Sequence, residues 1–343
     1  MRWNNLLLTE SAPPDGMSVP LFEQGAVERT FDTPEFRGIT FYEIRAKSII
    51  NRVPEASHVP FRWTINPYRG CSHSCLYCFA RNTHTYLDLD YGEDFNSKIV
   101  VKVNAADKLR VELAKPTWKG EHIAMGTNVD PYQRAEGRYK LMRGILEGLR
   151  DFANPFSILT KGSLILRDID LLEQCAELAD VGTNVSVGFV DRDMWRLLEP
   201  GTPSPQKRLE VCAKLNAAGI PCGVLMAPII PFLTDGPKEL EAAVRAIADS
   251  GATHVSPIVL HLRPGAREWF MAWLVENHPE LVPKYERLYA RGSYAPKAYQ
   301  EDVYAKVYEF SENFGVGKTT PTNTRRIRPK APKAVEPEQL ALI

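Results

Sequence analysis

The fold assignment depends on the stretch RGCSHSCLYCFAR (69–81). Its cysteines, Cys71, Cys75 and Cys78, are spaced C-x3-C-x2-C and come directly after the first strand candidate of an α/β series. Ligands of parallel α/β barrels bind at the carboxyl ends of the strands, where this loop is expected to lie. Three thiolates on one tight loop can hold three irons of a 4Fe-4S cube, which leaves the fourth iron open.

A structural zinc site is the alternative interpretation of the same three thiols. Zinc usually takes four closed ligands, often from C-x2-C pairs. His73 inside the loop, or His58 or His84 nearby, could complete a Cys3His set. The two interpretations differ in metal content, with about four irons per chain in one and one zinc in the other.

Outward from the loop, short runs rich in Ile and Val alternate with longer amphipathic runs. In PKELEAAVRAIADSG (237–251) the apolar residues recur at helical spacing, and Gly251 stands at the expected helix end. Six such strand–helix units predict an α/β fold, a partial (β/α)6 TIM-like barrel, whereas eight units would close the barrel. The strand candidates are residues 62–68, 121–127, 155–161, 183–189, 221–227 and 254–261.

The chain divides into three predicted regions. The barrel domain is expected to cover residues 61–314, with KIVVKV (98–103) as an extra strand outside its sheet. Residues 1–60 follow no clear period and are expected to form an N-terminal extension. Residues 315–343 are rich in Pro, Thr and basic residues, which predicts a flexible, basic C-terminal tail.

Charge and composition exclude several classes of protein. The chain has 42 Lys and Arg residues and 42 Asp and Glu residues, so its net charge is zero. This excludes a protein that coats nucleic acid through its overall charge and leaves open a local basic patch. The start lacks the apolar core of a signal peptide. The longest apolar run, GVLMAPIIPFL (223–233), contains two prolines and is too short for a membrane span. With six cysteines, these features predict a cytoplasmic protein without membrane contact.

Five stretches of the sequence carry a resemblance to a known family, and together they span about residues 40 to 310. They are NPYRGCSHSCLYCFAR (66–81), MGTNVDPYQ (125–133), SILTKGSLILRDIDLL (157–172), VSVGFVDRDMWRLLEPGTPSPQKRL (185–209) and APIIPFLTD (227–235). The sequence resembles the radical S-adenosylmethionine (radical SAM) enzymes, in the branch related to spore photoproduct lyase. The resemblance implies a 4Fe-4S cluster that chelates SAM and an enzyme that cleaves SAM into methionine and a 5'-deoxyadenosyl radical.

The same resemblance implies where SAM would bind. Tyr77 matches an aromatic position near the adenine, and packing of the loop is the alternative role for its ring. Gly126, Thr127 and Asn128 match the turn that receives the amino group of SAM. Asp130 follows in that turn, either as a helix cap or as a ligand contact.

Three further residues are matched with SAM on the next two strands and the helix after them. A lysine at the end of a buried strand is costly without an anion, so Lys161 is expected to bind the methionine carboxylate, with a surface salt bridge as the alternative. Ser186 is expected to bond the same carboxylate. Arg208 matches a position near SAM, and an exposed helical arginine is the alternative.

The substrate is not fixed by the resemblance. Spore photoproduct lyase returns a hydrogen atom from a cysteine near the turn after its second strand, and the corresponding turn here, AMGTNVDPYQ (124–133), has none. A nucleic acid is the candidate substrate, and thymine-dimer repair is not expected without another hydrogen donor. A non-catalytic zinc- or cluster-stabilised module that associates with DNA is the alternative function.

Two partners are expected besides the substrate. The family implies an electron donor of the flavodoxin or ferredoxin type. The chain ends in an apolar run after a basic segment, and this pattern resembles the peptides that bacterial repair proteins insert into the sliding clamp. The candidate docking peptide consists of Gln339, Leu340, Ala341, Leu342 and Ile343.

Overall fold

Short runs of β-branched and aromatic residues form strands in the computed structural model, which describes residues 26–55, 57 and 59–317. In FSILT the buried and half-buried side chains alternate, as a strand between two layers requires. The strands are β1 (Val27–Thr30), β2 (Thr40–Ile44), β3 (Ile50–Arg52), β4 (Trp63–Ile65), β5 (Tyr68–Arg69), β6 (Lys98–Lys102), β7 (Ile123–Met125), β8 (Phe156–Thr160), β9 (Val181–Ser186), β10 (Cys222–Ile229) and β11 (Val255–Val259).

Six strands form one parallel sheet. They pair as neighbours in the order β4, β7, β8, β9, β10 and β11, and β3 adds an antiparallel strand beside β4. Each of the six overlaps one of the strand candidates, so the predicted α/β fold class is confirmed. Because β4 and β11 lie at opposite ends of the parallel set, the barrel is partial and open between them.

Of the helices in the described chain, the first eight lie between successive strands of the parallel set, and the last three follow its sixth strand. They are α1 (Glu93–Ser97), α2 (Ala105–Leu113), α3 (Arg134–Tyr139), α4 (Leu141–Asp151), α5 (Ile169–Leu178), α6 (Arg192–Leu198), α7 (Pro205–Ala217), α8 (Pro237–Asp249), α9 (Ala266–Asn277), α10 (Val282–Leu288) and α11 (Lys297–Phe314). Short 3-10 helices span Arg81–Leu87, Ser163–Asp168 and Pro279–Leu281.

Helix α8 shows why the helical periods in the sequence were informative. Pro237 occupies its first turn, where a missing N–H costs nothing, and the chain leaves the helix through Gly251 at φ +69°. The residues that it buries against the sheet, at spacings of three and four, are Leu240, Ala243, Val244 and Ile247.

The core between sheet and helices also takes up the cysteines outside the first loop. Cys175, Cys212 and Cys222 are all buried within it. The Cys175 thiol faces the Leu146 carbonyl at 3.6 Å, and the Cys212 thiol faces the Cys222 carbonyl at 3.5 Å. These three cysteines therefore pack as small apolar residues, as expected.

A second, smaller sheet stands beside the barrel. Its strand order is β1, β2, β6 and β5, so residues 98–102 lie outside the main sheet as predicted. The segment before the barrel does more than extend from it, because β2 enters the small sheet and β3 the large one. Phe41, Tyr42 and Ile44 become buried in this way, which explains the mixture of apolar and charged residues that obscured any period.

The described chain ends against the sheet. Val316 is buried, and the Gly317 carbonyl accepts a hydrogen bond from the Val255 amide at 3.0 Å, so residues 315–317 belong to the packed part. The rest of the predicted tail, with the candidate clamp peptide, lies outside the described residues. In the part of the chain that is described, no helix has the length and apolar character needed to cross a membrane.

Candidate active site

A cavity opens at the carboxyl ends of the parallel strands. The cysteine loop forms one wall, and the residues that end β7 to β11 form the others. The lining residues are Cys71, His73, Cys75, Tyr77, Cys78, Phe79, Gly126, Asn128, Val129, Asp130, Leu159, Thr160, Lys161, Ser186, Leu225, Ala227, Pro228, Ile258, Val259, Leu260 and His261.

The three cysteines of the loop all face this cavity. Cys71 and Cys75 are buried, and Cys78 is half-buried. Two tight turns bring them to one side, since the Ser74 amide donates to the Cys71 carbonyl and the Cys78 amide to the Cys75 carbonyl, both at 3.3 Å. Ser74 takes a positive φ of 54°, which the short C-x3-C spacing requires of the chain.

The thiols are in surroundings that favour a bound cation. Burial raises the pKa of the Cys75 thiol to about 12, with Glu199 raising it further and Lys161 opposing. Burial also raises the pKa values of Cys71 and Cys78. In such a buried place water does not stabilise a thiolate, so thiolates form when a bound metal ion supplies the compensating positive charge. Three thiols in one enclosed cavity, on one loop, are a donor set that fits a 4Fe-4S cluster.

The histidines do not complete a zinc site around these thiols. Nε2 of His84 lies 2.9 Å from the Lys98 carbonyl, and Nδ1 of His73 lies 3.4 Å from the Asp130 carboxylate. His58 lies outside the described residues. Among the residues that are described, no three His, Cys, Asp or Glu side chains are arranged to hold a single metal ion. The second ring nitrogen of His84, Nδ1, is buried without a hydrogen-bond partner in the described chain, so the zinc site stays the alternative interpretation.

Arg81, at the end of the cysteine motif, anchors the loop from its buried side. Its side chain is fully buried. Nε and Nη2 both donate to the Cys75 carbonyl, at 3.3 and 3.0 Å. Nη1 donates to the carbonyls of Tyr91 and Gly92, and Nη2 reaches the Asn96 side chain at 3.1 Å. Arg81 thus joins the loop to the segment that precedes β6.

The charge of Arg81 is held without a carboxylate. No Asp or Glu oxygen of the described residues lies within 4.0 Å of its guanidinium. The group lies instead against two rings, 5.3 Å from the Phe95 centroid and 4.8 Å from that of Trp269. Burial lowers the pKa of Arg81, and the strongest opposing groups are the thiols of Cys78 and Cys75.

Asp130 connects the turn after β7 to the end of β8. Its carboxylate accepts hydrogen bonds from the Tyr132 amide at 2.9 Å, the Thr160 hydroxyl at 2.6 Å and the Lys161 amide at 2.6 Å. Burial by itself would raise the pKa of Asp130, but His73 and these donors hold it below its ordinary value. Asp130 caps its own turn and also faces the cavity.

Gly126 stands where no other residue fits. It has a φ of +80°, and an added Cβ would lie 1.8 Å from the Leu159 carbonyl oxygen. The chain can therefore leave β7 directly against β8 only with a glycine at this position. This close approach brings the backbone around Gly126 into the cavity wall.

Lys161 projects into the cavity from the end of β8. Its ammonium donates to the Ser186 hydroxyl, lies 3.5 Å from the Ala227 carbonyl and is 3.7 Å from the Glu199 carboxylate. The ring of Tyr77 is also near, at 5.9 Å from Nζ to the centroid. Lys161 is therefore neither a surface residue nor free of charged neighbours.

Glu199 is a buried anion behind the cavity lining, and it was not among the predicted site residues. It is fully buried, and its carboxylate accepts from the Tyr77 hydroxyl and pairs with the Arg208 guanidinium. Arg208 also donates to the Ser186 carbonyl at 2.6 Å. Burial would raise the pKa of Glu199, but Arg208 and Lys161 outweigh it and lower the pKa. The alternative of an exposed helical Arg208 is wrong, because only 1% of its surface is accessible.

The structure brings together most of the residues that were matched with SAM. Tyr77, Gly126, Asn128, Lys161 and Ser186 line the cavity with the three cysteines. Within the described chain, two of the predicted residues do not line it. They are Thr127 and Arg208, and the latter lies behind Ser186.

Two further lining residues were not predicted as site residues, although their positions in the sequence are informative. Phe79 lies between the last cysteine and Arg81, and His261 ends the sixth strand candidate. The rule that carboxyl ends of parallel strands carry the site would have selected His261. Glu199 offered no such signal, because it follows a helix and not a strand.

Comparison with known proteins identifies the family. The family model described as the radical SAM superfamily matches residues 65–247, more than half of the 343 residues. The chain belongs to the radical SAM superfamily. An uncharacterised protein of Mycobacterium tuberculosis is 47% identical over 308 residues, covering 90% of this chain and 91% of its own. An uncharacterised protein of Methanocaldococcus jannaschii is 34% identical over 199 residues, covering 57% of this chain and 70% of its own.

Solved structures of spore photoproduct lyase share this radical SAM fold. The complex of that lyase with dinucleoside spore photoproduct has a TM-score of 0.58 and 16% identity, with 77% of each chain covered. A mutant of the lyase with bound AdoMet and dinucleoside spore photoproduct gives the same TM-score, identity and coverage. At this identity the likeness concerns the fold.

Replacement of Arg81 by Met is expected to destabilise the protein markedly. The carbonyls of Cys75, Tyr91 and Gly92 would lose their donor inside the core, at about 1–3 kcal/mol for each unpaired group. Denaturant unfolding followed by circular dichroism measures the change. The control is Arg245→Met, since Arg245 is exposed on α8. Equal stability of the two variants would contradict the anchoring role.

Proposed function

We propose that this radical SAM enzyme holds a 4Fe-4S cluster on Cys71, Cys75 and Cys78, binds SAM beside it, and acts on a nucleic acid. The observation that carries the proposal is the single cavity that joins the three thiols to Lys161 and Ser186. With the cluster and SAM bound, one electron from a flavodoxin- or ferredoxin-type donor would cleave SAM into methionine and a 5'-deoxyadenosyl radical. This radical would take a hydrogen atom from the substrate and so give 5'-deoxyadenosine and a substrate radical.

The cationic side of the cavity suits the methionine carboxylate of SAM. The Lys161 ammonium and the Ser186 hydroxyl lie together in the lining and both can donate to a carboxylate. Arg208 fixes the strand that carries Ser186 by donating to its carbonyl, so we assign Arg208 a positioning role. Glu199 holds Lys161 and Arg208 in place from the buried side.

The opposite wall suits the amino group of SAM. Gly126 and Asn128 line it, and the short turn that contains Thr127 offers backbone carbonyls and small polar side chains. Tyr77 contributes its ring to the lining while its hydroxyl is bound by Glu199. This arrangement supports the adenine contact and explains the packing role at the same time.

The remaining lining would keep water from a reactive radical. Val129, Leu159, Ile258, Val259 and Leu260 supply apolar surface around the polar groups. A dry cavity strengthens the electrostatic contacts within it and limits side reactions. The arrangement therefore supports radical chemistry better than a binding module without catalysis.

Two observations favour a nucleic acid as the substrate. Spore photoproduct lyase, which shares the fold, has been solved with a dinucleoside lesion. The candidate clamp peptide at residues 339–343 points the same way, although it lies outside the described residues. Association with a sliding clamp and reduction by a flavodoxin or ferredoxin are parts of this proposal.

Substitution of any one of Cys71, Cys75 and Cys78 by Ala is expected to abolish retention of the cluster, because three thiolates are the full ligand set. Iron and sulfide are measured after anaerobic reconstitution. Cys175→Ala is the control, and it should keep the cluster while losing roughly 1 kcal/mol of packing. A single loop variant with a full, SAM-responsive cluster would refute the ligand assignment.

Lys161→Ala is expected to weaken SAM binding about 10- to 100-fold, since a charge-assisted hydrogen bond to a carboxylate is worth about 1.5–3 kcal/mol. Folding should suffer less, because Glu199 keeps Arg208 as its partner. The dissociation constant of SAM is measured on the reconstituted protein, with Lys207→Ala as an exposed control. An unchanged constant would leave Lys161 with a structural role only.

Repair of spore photoproduct is expected to be weak or absent, although SAM should be cleaved slowly without substrate. In the described part of the chain the cavity lining holds no cysteine besides the three proposed ligands, so the thiol that returns hydrogen is missing. Product analysis with a dinucleoside spore photoproduct checks this, with spore photoproduct lyase as positive control. Efficient conversion to thymines would contradict it.

A further inference from the structure

Four side chains form a cluster at the mouth of the cavity, which we call the mouth cluster. It consists of Phe79, His261, Arg263 and Tyr294. Phe79 and His261 belong to the cavity lining. Phe79 and Tyr294 nevertheless leave 45% and 48% of their surface accessible. Large rings exposed beside a cavity indicate a binding surface more than a folding requirement.

The mouth cluster is built around Arg263. Its guanidinium carbon lies 5.5 Å from the Phe79 ring centroid and 5.9 Å from that of Tyr294, and Nη2 donates to the Tyr294 hydroxyl at 2.9 Å. The rings of His261 and Tyr294 meet edge to face, with centroids 4.5 Å apart. The cluster is therefore a connected set of planar groups.

The backbone holds these side chains at the mouth. His261 and Tyr294 pair through an antiparallel bridge, and the Leu262 amide donates to the Ser293 carbonyl at 2.9 Å. Phe79 is fixed by its neighbour Cys78 in the loop. A ligand would meet a surface that is already formed, which lowers the entropy cost of binding.

Arg263 gives the mouth cluster one positive charge that no carboxylate neutralises. No Asp or Glu oxygen lies within 4.0 Å of it in the described chain. Burial, and then Arg263, lowers the pKa of His261 to about 4, so that ring adds no charge at pH 7. The surface therefore offers ring faces together with one localised cation.

We propose that the mouth cluster binds an unstacked nucleobase, with the ring on Phe79 or Tyr294 and the adjoining phosphate on Arg263. Single-stranded nucleic acids are bound by this combination of aromatic faces and cations. A base within a duplex has no free face and cannot enter a cavity, so the recognised strand must be unpaired or its base flipped out. Since the net charge of the chain is zero, bulk charge does not supply this binding.

This inference rests on the proposed function, because it assumes that the reacting group of the substrate enters the cavity behind the mouth cluster. It goes further by naming single-stranded nucleic acid as the ligand and Phe79, Tyr294 and Arg263 as its contacts. Binding can be measured whether or not SAM is cleaved, so the two proposals fail separately.

The test is fluorescence anisotropy of the full chain with labelled single-stranded DNA and RNA oligonucleotides of 12 residues. Phe79→Ala and Tyr294→Ala should each weaken binding about 5- to 100-fold, as expected for the loss of one base stack. Arg263→Gln should weaken binding. It should also reduce the steepness of the plot of log affinity against log salt concentration by the amount that corresponds to about one phosphate contact. A duplex of the same sequence should bind more weakly than either single strand.

Phe152→Ala is the matched control, since Phe152 is 41% exposed but lies just before the amino end of β8, away from the mouth. It should bind as the wild type does. Thermal unfolding checks that every variant is folded. Equal affinity of Tyr294→Ala, Arg263→Gln and wild type would overturn the proposal, and so would a wild type that binds no oligonucleotide. A wild type that binds oligonucleotides through the mouth cluster but never cleaves SAM would instead refute the proposed function.

Discussion

The hydrogen bonds from the buried Arg81 guanidinium to the Cys75 carbonyl are the constraint on which the cysteine loop depends. A buried cation is costly, and here five hydrogen bonds and two aromatic rings compensate for the lost water. Burial raises the pKa of the Cys78 thiol, and the same charge lowers it. A carboxylate beside Arg81 would have neutralised that effect, and none is present among the described residues. One side chain therefore fixes the loop and opposes the effect of burial on the Cys78 thiol.

A second constraint holds the cysteine loop to the segment that follows α6. The Leu76 amide donates to the Leu198 carbonyl and the Gly201 amide to the His73 carbonyl, both at 3.0 Å. Between these bonds Glu199 reaches in, where one carboxylate serves the two cations Lys161 and Arg208. These three groups together carry one net positive charge, and Lys161 is the one of them that lines the cavity, where its ammonium suits an incoming carboxylate. The electrostatics of the proposed SAM site thus follow from the packing of the loop after α6.

The sequence predicted what local pattern determines. Six strands could be recognised because each is a short apolar run between turn residues, and the parallel order follows from the helices between them. The cysteine spacing and the lysine at the end of β8 mark the cavity because strand ends meet there. Glu199 could not be recognised, since its burial depends on contacts with residues more than a hundred positions earlier. The exposed alternative for Arg208 failed because this residue lies on the buried side of α7 with Leu209 and Cys212, where Glu199 pairs with its charge.

The cavity and the mouth cluster come from different parts of the chain, and the contact between Arg81 and Trp269 joins these parts. The barrel strands supply the cavity, whereas the segment between β11 and α11 supplies His261, Arg263 and Tyr294 at its mouth. Helix α9 begins in that segment and places Trp269 against the Arg81 guanidinium. The residue that anchors the cysteine loop therefore also anchors the segment that forms the mouth. Because both segments contact Arg81, the mouth cluster and the three thiols are held at fixed positions relative to each other. A substrate that presents one atom to the cavity requires such a fixed arrangement.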